Sequence, residues 1–360
     1  MHRIETLHIG LIIFGIITSG IAFDENDSCL DPSGLPGRCI NVRDCEPLMK
    51  IYEKAIVTHD ESQFIEQSRC GVSAEKKALV CCASTVPKYT LPKPPNCGAD
   101  MSNRIFGEQK TALDEFPWIA LINYRHPNGS TSFHCGASLI NSRYLVTAAH
   151  CVEDRRNSSK PFSVRLGEWD IDQEIDCDED EEDVCADAPL DVDIEKIIMH
   201  EDYDPEDTSS HNDIALIRLT RDVHMSAFVS PICLPIDEIP RSRNVVGSKA
   251  YAAGWGRTES GRSSNVKLKV QLEVRDRKSC ANVYRSAGIV LRDTQLCAGG
   301  TRGQDTCSGD SGGPLTKLEQ TANFLYGIVS FGSNQCGIKG VPGIYTAVAK
   351  YVDWIERNLE

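Results

Sequence analysis

The sequence predicts an antiparallel all-β domain that ends in one helix and follows a small disulfide-rich domain. Residues 105–360 contain short β-branched and aromatic runs separated by Gly, Pro, Asn and Ser, which is typical of a β-sandwich or β-barrel. Near the C-terminus, apolar residues recur at helical spacing, at Val348, Val352, Trp354 and Ile355. Residues 23–82 hold six cysteines, and a unit of this size needs cross-links because it buries little core.

The N-terminus has the pattern of a secretory signal peptide over residues 1–22. Arg3 precedes an apolar run at residues 9–17, and small residues follow as far as Ala22. The run is too short to span a bilayer, which needs roughly 20 residues. We therefore expect a secreted, extracellular protein that begins near Phe23. Sequons, which indicate glycosylation but also arise by chance, lie at Asn26, Asn128 and Asn157.

Residues 83–104 are predicted to be a linker between the two domains. Residues 85–95 are rich in Pro and poor in apolar side chains, so we expect this stretch to be extended and exposed.

Cysteine content and charge exclude several classes of function. Sixteen cysteines point to disulfides in an oxidising compartment, and the chain lacks the CxxC pairs of zinc-thiolate sites. Six cysteines in the first domain allow 15 pairings, among which spacing cannot choose. The net charge of −14 argues against a nucleic-acid partner. Residues 168–193 hold 14 acidic and no basic residues, so this segment accounts for the excess and needs a local explanation.

Three motifs carry the chemistry: Thr-Ala-Ala-His-Cys around His150, Asn-Asp-Ile-Ala-Leu around Asp213, and Gly-Asp-Ser-Gly-Gly-Pro around Ser311. Taken singly, a His beside a disulfide cysteine or an Asp before a strand is usually structural. Three glycines around one Ser are different, because they suit a backbone that must approach a reacting group closely. Together, in this order, the motifs resemble those of the chymotrypsin-like serine proteases.

That resemblance covers residues 105–360 and implies two six-stranded antiparallel β-barrels with a C-terminal helix. It implies that Ser311 is the nucleophile, that His150 is its general base and that Asp213 orients His150. The backbone N–H groups of Gly309 and Ser311 would form the oxyanion hole.

The resemblance also implies substrate preference. Asp305 matches the base of the specificity pocket, where a carboxylate pairs with Arg or Lys of a substrate. Gly332 and Gly343 match the walls that admit a long side chain, while Phe331 stands where Trp is more usual. We therefore expect cleavage after Arg or Lys.

The resemblance further implies a zymogen, with the activation site at Arg104, the last residue of the 83–104 linker. Cleavage after Arg104 would free the amino group of Ile105, which by resemblance pairs with Asp310 beside the nucleophile. A buried carboxylate without a partner is costly, so the loop should lack its working shape before the cut. Glu108 replaces the Gly that is usual near the cut.

The first domain resembles the clip domain of arthropod serine proteases, and the whole architecture is similar to the Easter and Grass group of haemolymph proteases. This implies an innate-immune cascade that leads to Toll activation or melanisation. The partners would be an upstream trypsin-like activating protease, a downstream zymogen or precursor, and a serpin inhibitor. Two alternatives remain open: a digestive or venom trypsin with broad substrates, and a non-catalytic binding cofactor that uses the protease domain as a docking surface.

The resemblance assigns all cysteines. The implied pairs are Cys29–Cys81, Cys39–Cys70, Cys45–Cys82, Cys97–Cys233, Cys135–Cys151, Cys177–Cys185, Cys280–Cys297 and Cys307–Cys336. The Cys97–Cys233 pair would hold the two pieces together after cleavage.

A structural calcium ion is the explanation we expect for part of the acidic segment. In calcium-binding relatives the loop after Arg-Leu-Gly-Glu holds the ion, and Glu168 ends that motif here. The implied ligands are the carboxylates of Glu168 and Asp176 and the carbonyls of Asp170 and Gln173. Residues 178–183 are then either a solvated surface or a steering patch for a basic partner.

Overall fold

A computed structural model describes residues 27–52, 54, 57–73, 77–83, 89–99, 110–153, 159–178, 184–257, 263–301, 309–333 and 338–359. The chain forms two compact units, Met1–Lys88 and Tyr89–Glu360. In the described part of the chain, no helix has the length and apolar character needed to cross a membrane. The predicted signal peptide and Asn26 lie outside the described residues.

The first unit is a four-stranded antiparallel sheet with two helices, α1 (Glu46–Tyr52) and α2 (His59–Gln67). The strand order is β1-β2-β4-β3, with β1 Ser28–Leu30, β2 Pro36–Asn41, β3 Arg69–Val72 and β4 Ala78–Ala83. A capping box starts α2, because Thr58 accepts from the Glu61 N–H while the Glu61 carboxylate accepts from the Thr58 N–H.

Three disulfides supply much of the core of this unit: Cys29–Cys81, Cys39–Cys70 and Cys45–Cys82. Adjacent residues of a strand point to opposite faces. Cys81 therefore packs in one apolar cluster with Leu79, and Cys82 packs in a second cluster with Leu48. This alternation lets two neighbouring cysteines bind different partners, and the pairs are those that the resemblance implies.

The second unit contains two closed six-stranded antiparallel barrels, which confirms the fold class. The first barrel has the order β10-β7-β6-β5-β8-β9. Its strands are β5 Ile119–Arg125, β6 Thr131–Leu139, β7 Tyr144–Thr147, β8 Lys160–Leu166, β9 Leu190–Met199 and β10 Ala215–Leu219. The one-turn helix α3 (Ala149–Val152) follows β7.

The second barrel has the order β11-β12-β13-β16-β15-β14. Its strands are β11 Lys249–Gly254, β12 Leu268–Arg275, β13 Gln295–Gly299, β14 Pro314–Glu319, β15 Ala322–Phe331 and β16 Pro342–Ala347. Helix α4 (Glu238–Ser242) lies between β10 and β11, and helix α5 (Arg277–Tyr284) lies between β12 and β13.

The predicted C-terminal helix is a 3-10 turn, Val348–Lys350, followed by helix α6, Val352–Arg357. Its four apolar positions are all buried, at Val348, Val352, Trp354 and Ile355. The Trp354 ring N–H also donates to Glu201, 2.7 Å away.

The predicted exposure of residues 85–95 is wrong at Tyr89 and Leu91. Tyr89 is only 5% exposed and packs edge-on against the Tyr144 ring, while its hydroxyl donates to Asp222 at 2.8 Å. Leu91 joins the same barrel core. These two apolar side chains are enough to bind the extended segment to the surface of the first barrel, because burying them is favourable. The Cys97–Cys233 disulfide fixes the end of the segment.

Candidate active site

His150 is presented by α3 immediately after β7. The helix is anchored by the Cys135–Cys151 disulfide, which ties the residue next to His150 to β6. The Tyr124 hydroxyl donates to the Cys151 carbonyl at 2.7 Å, and the buried Thr147 hydroxyl donates to the Gly136 carbonyl at 2.8 Å. The imidazole therefore projects from a rigid, cross-linked corner of the first barrel.

Asp213 lies two residues before the start of β10 and is completely buried. Its Oδ2 is 2.8 Å from His150 Nδ1, and its Oδ1 accepts from the His150 backbone N–H at 2.9 Å. Asn212 has φ 57°, a conformation that Asn tolerates better than most residues, and the turn it makes places Asp213 against His150. The Asn212 side chain is held on both sides, by the Asp202 carbonyl and the Tyr351 hydroxyl.

The second barrel completes the environment of Asp213. The Ser330 hydroxyl of β15 donates to Asp213 Oδ2, and the Thr346 hydroxyl of β16 donates to the Asp213 carbonyl at 2.7 Å. Burial raises the pKa of Asp213, but His150 and the Ser330 hydroxyl lower it by more, so the net pKa of the carboxyl lies below its ordinary value. Asp213 is thus an anion that can hold the proton of His150 on Nδ1.

Ser311 and its neighbours form a tight loop before β14. Gly309 has φ 105°, and an added Cβ there would lie 2.9 Å from the Gly256 Cα, so no other residue fits without movement. The Gly136 N–H donates to the Ser311 carbonyl at 2.8 Å, which joins the loop to β6 of the first barrel. The Gly313 N–H donates to the Asp310 carbonyl at 2.9 Å.

The Asp310 side chain points away from the loop into a space lined by glycines. Its Oδ1 accepts from the Gly256 N–H at 2.9 Å, and a Cβ on Gly254 would lie 2.6 Å from the same oxygen. Trp255, between these glycines, is buried and donates its ring N–H to the Trp169 carbonyl at 3.0 Å. The position of Asp310 is thereby linked to the loop that begins at Glu168.

Gly332 and Gly343 face each other, because a Cβ on Gly332 would lie 3.7 Å from the Gly343 Cα. The Phe331 ring meets the Tyr284 ring edge-on at 5.9 Å, and the Tyr284 hydroxyl donates to the Pro342 carbonyl at 2.6 Å. These contacts brace the two glycine-bearing segments from behind. A side chain on Gly332 would therefore project against the backbone of Gly343.

The loop from Glu168 to Asp176 brings two buried carboxylates together. Glu168 is 1% exposed and Asp176 is 2% exposed. The Trp169 N–H is within hydrogen-bond distance of both, at 2.9 and 3.2 Å. Burial raises the pKa of each carboxyl, and the charge of Asp176 adds to the effect at Glu168. Asp176 Oδ1 has no hydrogen-bond partner among the described residues.

The neighbouring residues hold this loop closed. The Ala186 N–H donates to the Asp176 carbonyl at 2.7 Å, and the Cys177–Cys185 disulfide follows directly. The Gln173 N–H donates to the Asp170 carbonyl at 2.9 Å, so these two residues form a turn within the loop. Arg165 provides one positive partner, 3.3 Å from Glu168 Oε2.

Several predicted residues lie outside the described part of the chain: Arg104, Ile105, Asp305, Cys307, Cys336 and Asn157. Of the remaining implied disulfides, Cys280–Cys297 is present. Asn128 is exposed in the turn between β5 and β6, where its side chain accepts from Ser130.

Sequence reasoning missed the residues that support Asp213 from the second barrel. Ser330 and Thr346 look like ordinary strand residues, and only their register brings them to Asp213. His211 is a third case: its Nδ1 is 2.6 Å from Asp207 and its Nε2 is 2.7 Å from the Val290 carbonyl, so it joins the two barrels beside Asp213. The only sequence signal was that each lies within three positions of a predicted site residue: His211 of Asp213, Ser330 of Gly332, and Thr346 of Gly343.

Two family models match this chain. The model described as Trypsin matches residues 105–355, and the model described as Regulatory CLIP domain of proteinases matches residues 29–82.

Similar proteins span nearly the whole chain. CLIP domain-containing serine protease B4 of Anopheles gambiae is 50% identical over 341 residues, which cover 94% of each chain. Serine protease ea of Drosophila melanogaster is 42% identical over 356 residues, 92% of this chain and 91% of its own. The crystal structure of the Drosophila Grass clip serine protease of the Toll pathway aligns with a TM-score of 0.66 at 33% identity, and covers 92% of this chain and 97% of that one.

Proposed function

The chain belongs to the trypsin family of serine proteases and carries a CLIP domain; from this premise we propose a secreted zymogen that acts in an extracellular proteolytic cascade. It is a serine endopeptidase. The observation that carries the catalytic proposal is the pairing of His150 with a fully buried, anionic Asp213 beside the glycine-rich loop of Ser311.

In the proposed mechanism, Ser311 Oγ attacks the peptide carbonyl while His150 Nε2 removes its proton. His150 then delivers that proton to the leaving amine. Asp213 keeps the Nδ1 proton in place and stabilises the imidazolium as it forms. The N–H groups of Gly309 and Ser311 bind the developing oxyanion, a contribution of roughly 3 to 4 kcal/mol per donor in related sites.

We propose cleavage after Arg or Lys. Neither Gly332 nor Gly343 places a side chain between the two segments, where a side chain on Gly332 would contact Gly343, and a carboxylate at Asp305 would pair with the positive end of the substrate side chain. Asp305→Ser should spare catalysis and abolish the preference for Arg and Lys over apolar residues. Retained preference in that variant would contradict the assignment of the pocket.

Activation is proposed to follow cleavage after Arg104. The new amino group of Ile105 would pair with Asp310, whose carboxylate is positioned by the Gly256 N–H. Arg104→Gln should resist activation by a trypsin-like protease. After cleavage of the unmodified chain, the two pieces should separate on a gel only under reducing conditions, because Cys97–Cys233 joins them.

The place in a cascade is proposed from the relatives. Besides those above, similar proteins include Phenoloxidase-activating factor 1 of Holotrichia diomphalia and Melanization protease 1 of Drosophila melanogaster. We therefore propose that this protease acts in haemolymph, where an upstream protease activates it, it cuts a downstream zymogen or precursor, and a serpin inhibits it. Incubating the activated enzyme with haemolymph and sequencing the new N-termini would identify the substrate; no new N-terminus after Arg or Lys would contradict a cascade role.

We also propose a structural calcium ion in the Glu168–Asp176 loop. The residues fit the ion, because two buried carboxylates lie together and the buried Asp176 Oδ1 has no hydrogen-bond partner among the described residues. Carboxylate and carbonyl oxygens are the ligands that Ca²⁺ prefers, and the carbonyls of Asp170 and Gln173 would contribute. When bound, the ion would neutralise the loop and so stabilise the fold.

A thermal melt of the zymogen in millimolar calcium, compared with a melt in chelator, tests this site. A free calcium concentration of about 100 times the Kd adds about 2.7 kcal/mol to the free energy of unfolding. The midpoint should rise by several degrees, and Glu168→Gln should remove the rise. An unchanged midpoint in the unmodified protein would contradict a calcium site, and a rise that survives Glu168→Gln would contradict its placement here.

A further inference from the structure

Two histidines of the β5–β6 hairpin converge on one hydroxyl group. His126 Nε2 lies 2.6 Å from Ser132 Oγ, and His134 Nε2 lies 2.7 Å from the same oxygen. The two imidazole rings meet edge-on, with 5.7 Å between their centroids. Neither histidine has a role in the proposed catalytic mechanism.

The hairpin geometry brings these side chains together. Ser132 and His134 are two positions apart on β6, which is the spacing of residues on one face of a strand. The register of β5 and β6 shifts between Ile122 and Asn123, a bulge that leaves His134 without an opposite residue and re-aims its side chain. His126 starts the turn, where its N–H donates to the Ser130 carbonyl at 2.8 Å. The convergence is therefore built by backbone structure and not by chance contact of long side chains.

The surroundings hold both rings in place. Ser159, just before β8, contacts His126 Nδ1, and the Tyr124 ring lies 5.4 Å from the His134 ring. Partial burial, together with the nearby His126, lowers the pKa of His134. A neutral imidazole is the form that ligates a metal ion, and the lowered pKa favours that form of His134.

We propose that His126 and His134 bind one divalent transition-metal ion of the Zn²⁺ class. Two imidazole nitrogens aimed at one point suit this class of ion, with the Ser132 hydroxyl or water completing a tetrahedral shell. The Ser132 side chain would rotate to make room, so that the ion lies between the two Nε2 atoms with each nitrogen about 2.0–2.1 Å from it. Hard ions such as Ca²⁺ prefer oxygen ligands and would not compete.

The bound ion would act on the active site through β6. Cys135 follows His134 and is bonded to Cys151, the neighbour of His150. Gly136 follows in turn and donates to the Ser311 carbonyl. Occupancy would fix the strand that carries both contacts and place a cation at the rim of the site, so we expect inhibition. The binding site does not depend on the proposed catalytic mechanism, whereas the inhibition does.

Binding is tested by calorimetric titration of Zn²⁺ into the full-length Ser311→Ala zymogen, which cannot cut itself. Millimolar Ca²⁺ in the buffer occupies oxygen-rich sites such as the acidic loop. We expect one site of micromolar affinity. His126→Gln and His134→Gln should each weaken it by about tenfold or more, whereas the exposed His224→Gln should leave it unchanged. Co²⁺ in the same protein should give the visible absorption of a tetrahedral nitrogen-ligated site.

Thermal melts without metal establish that each variant is folded. Absence of binding, or equal binding by both histidine variants and the His224 control, would overturn the proposal. Inhibition is measured on the activated enzyme with an arginyl amide, and both histidine variants should relieve it. Inhibition that persists in both would place the inhibitory ion elsewhere, for example at His150, and would overturn the inhibitory role.

Discussion

Gly256→Ala should abolish most of the activity of the cleaved enzyme without unfolding it. A Cβ on Gly256 would overlap Cγ and both oxygens of the Asp310 carboxyl, far inside the ~3.5 Å at which non-bonded carbon atoms normally meet. The overlap is with a side chain and not with backbone, so the carboxylate must leave its place. It then loses the 2.9 Å hydrogen bond from the Gly256 N–H.

The expected magnitude follows from what Asp310 supports. Its displacement moves the adjacent Gly309 and Ser311, whose N–H groups are the proposed oxyanion donors. Loss of one such donor costs about 10²–10³-fold in kcat, or roughly 2.7–4 kcal/mol. We expect kcat for an arginyl amide to fall by this factor, and KM to change little.

The assay compares activated wild-type enzyme with Gly256→Ala at equal concentration of cleaved chain. Gly254→Ala should have a smaller effect, because its Cβ meets only one oxygen of Asp310, at 2.6 Å. Gly247→Ala is the control: no atom lies within 4 Å of its Cβ, so it carries backbone strain alone. A Gly256→Ala enzyme with wild-type kcat would refute the argument that Asp310 sets the shape of this loop.

Two further predictions follow from buried polar groups. Ser330→Ala removes one donor to the anionic Asp213 and should lower kcat/KM by about 10- to 100-fold, since a hydrogen bond to a charged group contributes about 1.5–3 kcal/mol. Ser330→Thr keeps the hydroxyl and should retain more activity. Equal loss of kcat/KM in both variants would contradict this role of Ser330. Burial lowers the pKa of Lys267 to about 8, against about 10.4 in an unfolded chain, so between these values the unfolded state binds more protons and stability rises with pH. Relative to Lys267→Met, the wild-type free energy of unfolding measured in urea should therefore increase from pH 8 to about 10; parallel curves would contradict the burial of a titrating amine.

The sequence predicted the second unit well because its signals are local. The short β-branched and aromatic runs of residues 105–360 predicted an antiparallel all-β unit, and the glycines around Ser311 marked a backbone that must come close to other atoms. The helical spacing of Val348 and Trp354 identified buried positions correctly, although the helix is interrupted at Tyr351. Each of these features depends on residues that are neighbours along the chain.

The features that the sequence did not predict depend on distant residues. Tyr89 lies among prolines, and its burial requires the Tyr144 ring of the first barrel, more than 50 residues away. Ser330 is one strand residue among many until β15 reaches Asp213. His126 and His134 are eight positions apart, and a bulge in β6 is needed for them to share Ser132. Composition and residue spacing do not predict contacts between residues that only the folded chain brings together.

The measurement that tests the account most directly is labelling with a serine-reactive fluorophosphonate probe, followed by peptide mass spectrometry, before and after cleavage at Arg104. The account predicts that the probe modifies Ser311 only in the chain whose new N-terminus is Ile105, and that His150→Ala prevents modification of the cleaved chain. Equal labelling of Ser311 in the uncut chain would contradict the zymogen mechanism. A cleaved, folded chain that shows no labelling at Ser311 would contradict the catalytic assignment itself.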